Sequence, residues 1–195
     1  MPETENKVQF GLEKVHYAVL NGDTYGTPVP IPGAVNLSLN PVGEMEKFYA
    51  DNVVYYVSNT NDGYDGDLEV AKFPMQMLQE VWGFILSQKD KVLTEMADAV
   101  SVTFALLFQI RGDATRSNFV MYACTGTRPG LEGKTMEEGK RTPTTQKSSI
   151  TAVPLEDGKV FARTTQDTPK EVMDNWFKQV YTGETAPAAE SGAAS

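Results

Sequence analysis

Four carboxylates within eight residues, Asp62, Asp65, Asp67 and Glu69, are the densest potential chemistry in this chain. Calcium is the cation that such a Gly-containing acidic run suggests. Setting Gly63 at the invariant glycine of an EF-hand loop puts Glu69 at its twelfth position. Ser58 and Thr60 then stand where acids are required, and no helical pattern flanks the run. The expectation is therefore a solvated turn that blunts a sheet edge, with these four acids as the weak metal candidate. Paired carboxylates would also suit a glycosidase, but apart from Trp82 the aromatic residues read as strand core.

Nucleophilic catalysis has even less to work with. His16 is the one histidine, so any Ser-His-Asp or Cys-His arrangement must use it. It lies in EKVHYAVL, a strand pattern, and reads as structural. Cys124 is the one cysteine. It excludes an internal disulfide and a Cys-based zinc site and fits a reducing cytoplasm. Gly126, Gly130 and Gly133 lack the Lys-Ser/Thr and the helix of a phosphate loop. No catalytic residue and no cofactor is expected.

Charge carries more information. The 195 residues have a net charge of −9, the reverse of the basic stripe that DNA-backbone binding needs. From residue 41 to 70 there are seven acids, Glu44, Glu46, Asp51, Asp62, Asp65, Asp67 and Glu69, against the single base Lys47. Residues 126–147 run the other way. Arg128, Lys134, Lys140, Arg141 and Lys147 face Glu132, Glu137 and Glu138, a net +2. Two complementary segments on one protomer could meet across a head-to-tail interface.

The elements that would position these residues are mostly strands. Val35, Leu37 and Leu39 alternate with polar residues over 33–40, a half-buried strand. Over 52–58, Val53, Tyr55 and Val57 form one face and Val54 and Tyr56 the other. Both faces are apolar, so both should be covered, one by the core and one by a second layer or a neighbouring subunit. Residues 59–66, NTNDGYDG, read as a turn. Strand character resumes at Leu68, Val70 and Phe73. Pro74 then opens a short helix with Met77, Leu78, Val81 and Trp82 on one face, ending at Gly83.

Residues 99–111 read as the clearest strand, with Val100, Val102, Phe104, Leu106, Phe108 and Ile110 on one face. Residues 117–125 should return as its hairpin partner. The Gly-, Thr- and Pro-rich stretch 126–147 reads as a long loop, of the length that is usually functional or disordered. Residues 148–155 and 159–164 suggest a second hairpin across Asp157-Gly158. Thr168, Pro169 and Glu171 suggest a capped helix start, and Val172, Trp176, Phe177 and Val180 its buried stripe.

The N-terminus reads without a signal peptide, and no apolar run is long enough to span a membrane as a helix. Residues 182–195 read as a disordered low-complexity tail. The expectation is one domain over 1–181, its core at about 6–181. Its fold class is mainly β, a β-sandwich or partial barrel of antiparallel strands with two short flanking helices.

Four blocks add a resemblance. VQFGLEKVHYAVL at 8–20, PGAVNLSLNPVGE at 32–44, NTNDGYDGDLEVAKFP at 59–74 and RPGLEGKTMEEGKRTPTTQKSSITAVPLEDGKV at 128–160 occur in this order and spacing. Over residues 6 to 181 the chain resembles the major tail proteins, or tail tube proteins, of long-tailed bacteriophages, especially of phages with Gram-positive hosts. The resemblance implies a β-sandwich protomer that closes into hexameric rings. Rings stack into a hollow tube around a tape-measure protein, with terminator and tail-tip proteins at its ends. DNA later passes through without specific binding. It implies a virion protein assembled in the host cytoplasm, with no enzymatic activity and no membrane.

On that basis the seven acids from Glu44 to Glu69 are expected on the lumen or a ring-to-ring contact. The loop with Arg128, Lys134, Lys140 and Arg141 is expected as an inter-protomer arm. The alternative is a β-sandwich binding module for glycan or a host surface. Trp82 and Trp176, on expected core faces, argue against an aromatic sugar platform.

Overall fold

The computed structural model describes residues 6–112, 114–135 and 143–183. In chain order the elements are β1 (Gln9–Asn21), β2 (Thr24–Tyr25), β3 (Val29–Pro30), β4 (Ala34–Val42), β5 (Met45–Ala50), β6 (Val53–Asn59), β7 (Gly63–Val70), α1 (Met75–Glu80), β8 (Ile85–Leu86), β9 (Leu93–Thr94), β10 (Phe104–Gly112), β11 (Arg116–Gly126), β12 (Gln146–Val153), β13 (Phe161–Arg163) and α2 (Lys170–Asn175). The fold is mainly antiparallel β with two short helices, as the sequence pattern suggests. One large sheet runs β2-β1-β10-β11-β12-β7-β4, with β3 on β1 and β13 on β11.

β10 lies inside the sheet, between β1 and β11, because residues 104–108 are apolar on both faces. Phe104, Leu106 and Phe108 join Tyr17, Leu68, Val70, Phe73, Met77 and Trp82 in one buried cluster, closed by α1. Ala105 and Leu107 join Ala18, Val120, Tyr122, Trp176 and Val180 in a second, closed by α2 and the turn after it. Each large side chain buried in this way contributes on the order of 1.5–3 kcal/mol. Trp82 fits its site because its indole Nε1 donates to the Gly126 carbonyl at 2.9 Å. Two irregularities bend β1 between Phe10 and Leu12 and between Glu13 and His16, with Gly11 and Lys14 at positive φ. Such bulges kink a strand and raise its twist.

Five expectations are corrected by the geometry. First, residues 100–103 are not strand; Val100 is 80% exposed. The Val102 amide donates to the Val81 carbonyl after α1 and so leaves the sheet. Second, the turn at 59–66 shrinks to residues 60–62. Gly63 to Val70 pair with β4 on one side and β12 on the other, and two ladders override local turn preference.

Third, β12 and β13 do not form a hairpin with each other. The chain turns at Asp157-Gly158, but β12 pairs with residues 123–126 of β11 and β13 with residues 119–121. Fourth, α2 starts one residue later than its motif suggests. Pro169 is the cap, no side chain caps the helix, and the Thr168 hydroxyl accepts from the Thr165 amide instead. Fifth, the core covers neither face of β6.

Candidate functional site

The most unusual local structure is the hairpin of β5 and β6, which among the described residues pair only with each other. Its tip is Asp51-Asn52, both at positive φ. Two such residues between paired strands make the tight turn whose twist matches a hairpin. Phe48 pairs with Tyr56 on one face and Lys47 with Val57 on the other. Met45, Phe48, Tyr49, Val53, Val54, Tyr55, Tyr56 and Val57 are all exposed, Tyr55 by 74%. The aromatics assigned to strand core at 48–56 are therefore on the outside. The Asp51-Asn52 dipeptide between two apolar runs signals this hairpin in the sequence, but reading 52–58 as a lone strand hides its partner, 45–50.

The second feature is a groove of about 630 Å³ in the wall of the sheet. β1, next to one end of the sheet, and β4, at the other end, approach each other without pairing. Phe10 and Leu12 line one bank, Val35, Leu37 and Leu39 the other. Phe161 forms part of the floor, set edge-on to Tyr64 at 5.7 Å between ring centres. Val35 belongs here because a register shift between Ala34 and Asn36 turns it out of the half-buried row. Arg163 is the one charged residue in the lining.

The structure divides the acidic run into two groups. Glu44, Glu46 and Asp51 lie on or beside the hairpin. Asp62 sits at its base, where it accepts from the Thr60 hydroxyl at 3.2 Å. Asp65, Asp67 and Glu69 occupy alternate positions of β7, on the face opposite Leu68 and Val70. Asp67 accepts from Ser149 Oγ at 2.9 Å and pairs with Lys147 Nζ at 2.9 Å. These partners hold its carboxyl below the usual aspartate range. Glu69 accepts from the Thr145 hydroxyl. Among the described residues, no three or more His, Cys, Asp or Glu side chains are grouped to hold a metal ion.

The expected arm is without helix or strand over its described parts, 127–135 and 143–145. Arg128 pairs with Glu95, and Lys134 with Glu132 of the same loop at 2.9 Å. Leu131 is 95% exposed. Lys140 and Arg141 lie outside the described residues, as does the expected tail from 184 onward.

His16 rests against Phe177, 4.9 Å between ring centres, with Nδ1 2.9 Å from the Lys14 carbonyl oxygen. Burial lowers its pKa below the usual 6.5. Burial likewise raises the Cys124 thiol to about 12. No helix among the described residues is long and apolar enough to cross a membrane.

No protein-family profile and no curated protein matches this chain. Among solved structures, it is similar to a chain of "Cryo-EM structure of the anti-feeding prophage cap (AFP tube terminating cap)". The two share 11% identity at a TM-score of 0.35, over 85% of this chain and 98% of that one.

Proposed function

We propose that this chain is a structural, non-enzymatic virion protein that self-assembles into the stacked rings of a phage tail tube. The hairpin Met45–Asn59 carries the proposal. An isolated two-stranded hairpin is marginal at best in water, and this one exposes large apolar side chains on both faces. A monomer rarely shows an apolar patch beyond roughly 300–600 Å². A repeating assembly supplies the cover that its own core does not. The four sequence blocks point to the same class of protein.

In that assembly the carboxylates of β7 and the hairpin base face the lumen or a ring-to-ring contact. Negative charge there keeps a passing nucleic acid from sticking. Loop 126–147 reaches a neighbouring protomer. Terminator, tip and tape-measure proteins are the further partners of such a tube.

Electron microscopy of the concentrated protein tests this directly. Rings or tubes of uniform width are expected. A reconstruction should place Asp65, Asp67 and Glu69 away from the outer wall and loop 126–147 against a neighbouring subunit. Glycan binding by a strictly monomeric protein would replace this reading with a binding module.

A further inference from the structure

We infer that the groove between β1 and β4 is the receptor for the β5–β6 hairpin of a second copy of this chain. The inference rests on the assembly reading and adds the surface that the hairpin meets. Among the described residues both features are unpartnered within one protomer, and no hairpin residue lines the groove. The groove is bounded by two strand edges. Among the described residues β4 pairs on one side only, with β7. β1 pairs with β3 only at His16 and Tyr17 and with β2 only at Leu20 and Asn21, so the outer edge of its first half is open. A hairpin laid along this seam would complete the wall of the sheet.

The hairpin has the apolar area of half an interface, and its charge complements the groove. The four hairpin aromatics, each about two-thirds exposed, offer roughly 500 Å² of apolar surface. With Met45, Val53, Val54 and Val57 the total reaches the order of 800 Å² that one partner buries in a standard interface. The hairpin and its approach carry Glu44, Glu46 and Asp51 against Lys47. The groove offers Arg163, which has no ion-pair partner among the described residues; Arg111 stacks over the Phe10 ring at 5.8 Å, beside the groove rather than in its lining. A knob and a hole on different parts of one chain make a heterologous contact, which closes into rings or propagates as a filament.

Cysteine pairing between two variants tests the contact. Chains carrying Tyr55→Cys and Phe10→Cys are mixed under mild oxidation, with Tyr55→Cys plus Lys89→Cys as the control pair. Cys124 stays out of the reaction because it is fully buried. The expected result is at least tenfold more mixed dimer for Tyr55–Phe10 than for the control. Equal yields overturn the inference. Predominant Tyr55–Tyr55 dimer also overturns it, in favour of hairpin-on-hairpin pairing.

Sedimentation of a Phe10→Glu/Val35→Glu chain against the unmodified protein separates the two levels of argument. Loss of the larger species supports the groove. Their persistence at unmodified strength overturns the groove and leaves the assembly reading standing. An unmodified protein that stays monomeric at its highest concentration, with no cross-link above control, overturns both. An apolar small molecule extracted from the purified protein at one per chain, with unchanged assembly, assigns the groove to that ligand instead.

Discussion

At the scale of single residues, the acids are tied into the sheet rather than poised for catalysis. Asp67 is the clearest case, held by Ser149 and Lys147 across β12. Its folded pKa is depressed, led by the Lys147 contact. A depressed carboxylate contributes stability above its unfolded value, near 3.9, and loses it as pH falls through the folded value. Asp67→Asn should therefore be less stable than the unmodified chain at pH 7. The gap should narrow as pH drops below about 4 and vanish once the Asp67 carboxyl is protonated in the folded as well as the unfolded state. Urea unfolding of both chains across this range measures it, and a gap that is constant with pH would refute the role. The run of acids was plain in the sequence. Their alternation on one strand face was not, because NTNDGYDG has turn composition and only the flanking ladders make it strand.

At the scale of elements, β7 depends on glycine where β4 crowds it. Gly66 lies opposite Leu39 of β4 and Ile150 of β12. A Cβ there would overlap the Ser38 carbonyl oxygen. Because that obstacle is backbone, Gly66→Ala must spread the β4–β7 ladder. The expected loss is at least 2 kcal/mol, on the order of the large point-mutant effects, read as a lower urea midpoint. A change within about 0.5 kcal/mol, the range of surface substitutions, would show that the strands yield freely.

Local periodicity made β1, β4, β10 and β11 legible; it also marked the start of α2, but the helix ends at Asn175, and Trp176, Phe177 and Val180 of the expected stripe lie in the turn after it or beyond. Pairing at a distance was less so. Asp157-Gly158 correctly marks a chain reversal, yet nothing in 148–164 says that both flanking strands will lie along β11. The β1–β4 groove is invisible to pattern reading, since it arises where two strands far apart in sequence fail to meet.

At the scale of the whole molecule, the fold separates what stabilises the protomer from what can join protomers. The two buried clusters contain no residue of β5 or β6. Removing apolar surface from the hairpin should therefore leave the protomer intact. Phe48→Ser/Tyr55→Ser/Tyr56→Ser should shift stability by no more than about 1 kcal/mol, as exposed positions do, while the larger species in sedimentation disappear. The same truncation also removes the aromatic area that makes the hairpin a credible half-interface. A loss of several kcal/mol with assembly retained would place the hairpin on its own core and reverse the argument. Stability and assembly are thus separable in one variant, because the residues that would build a tube are those that the protomer does not need for folding.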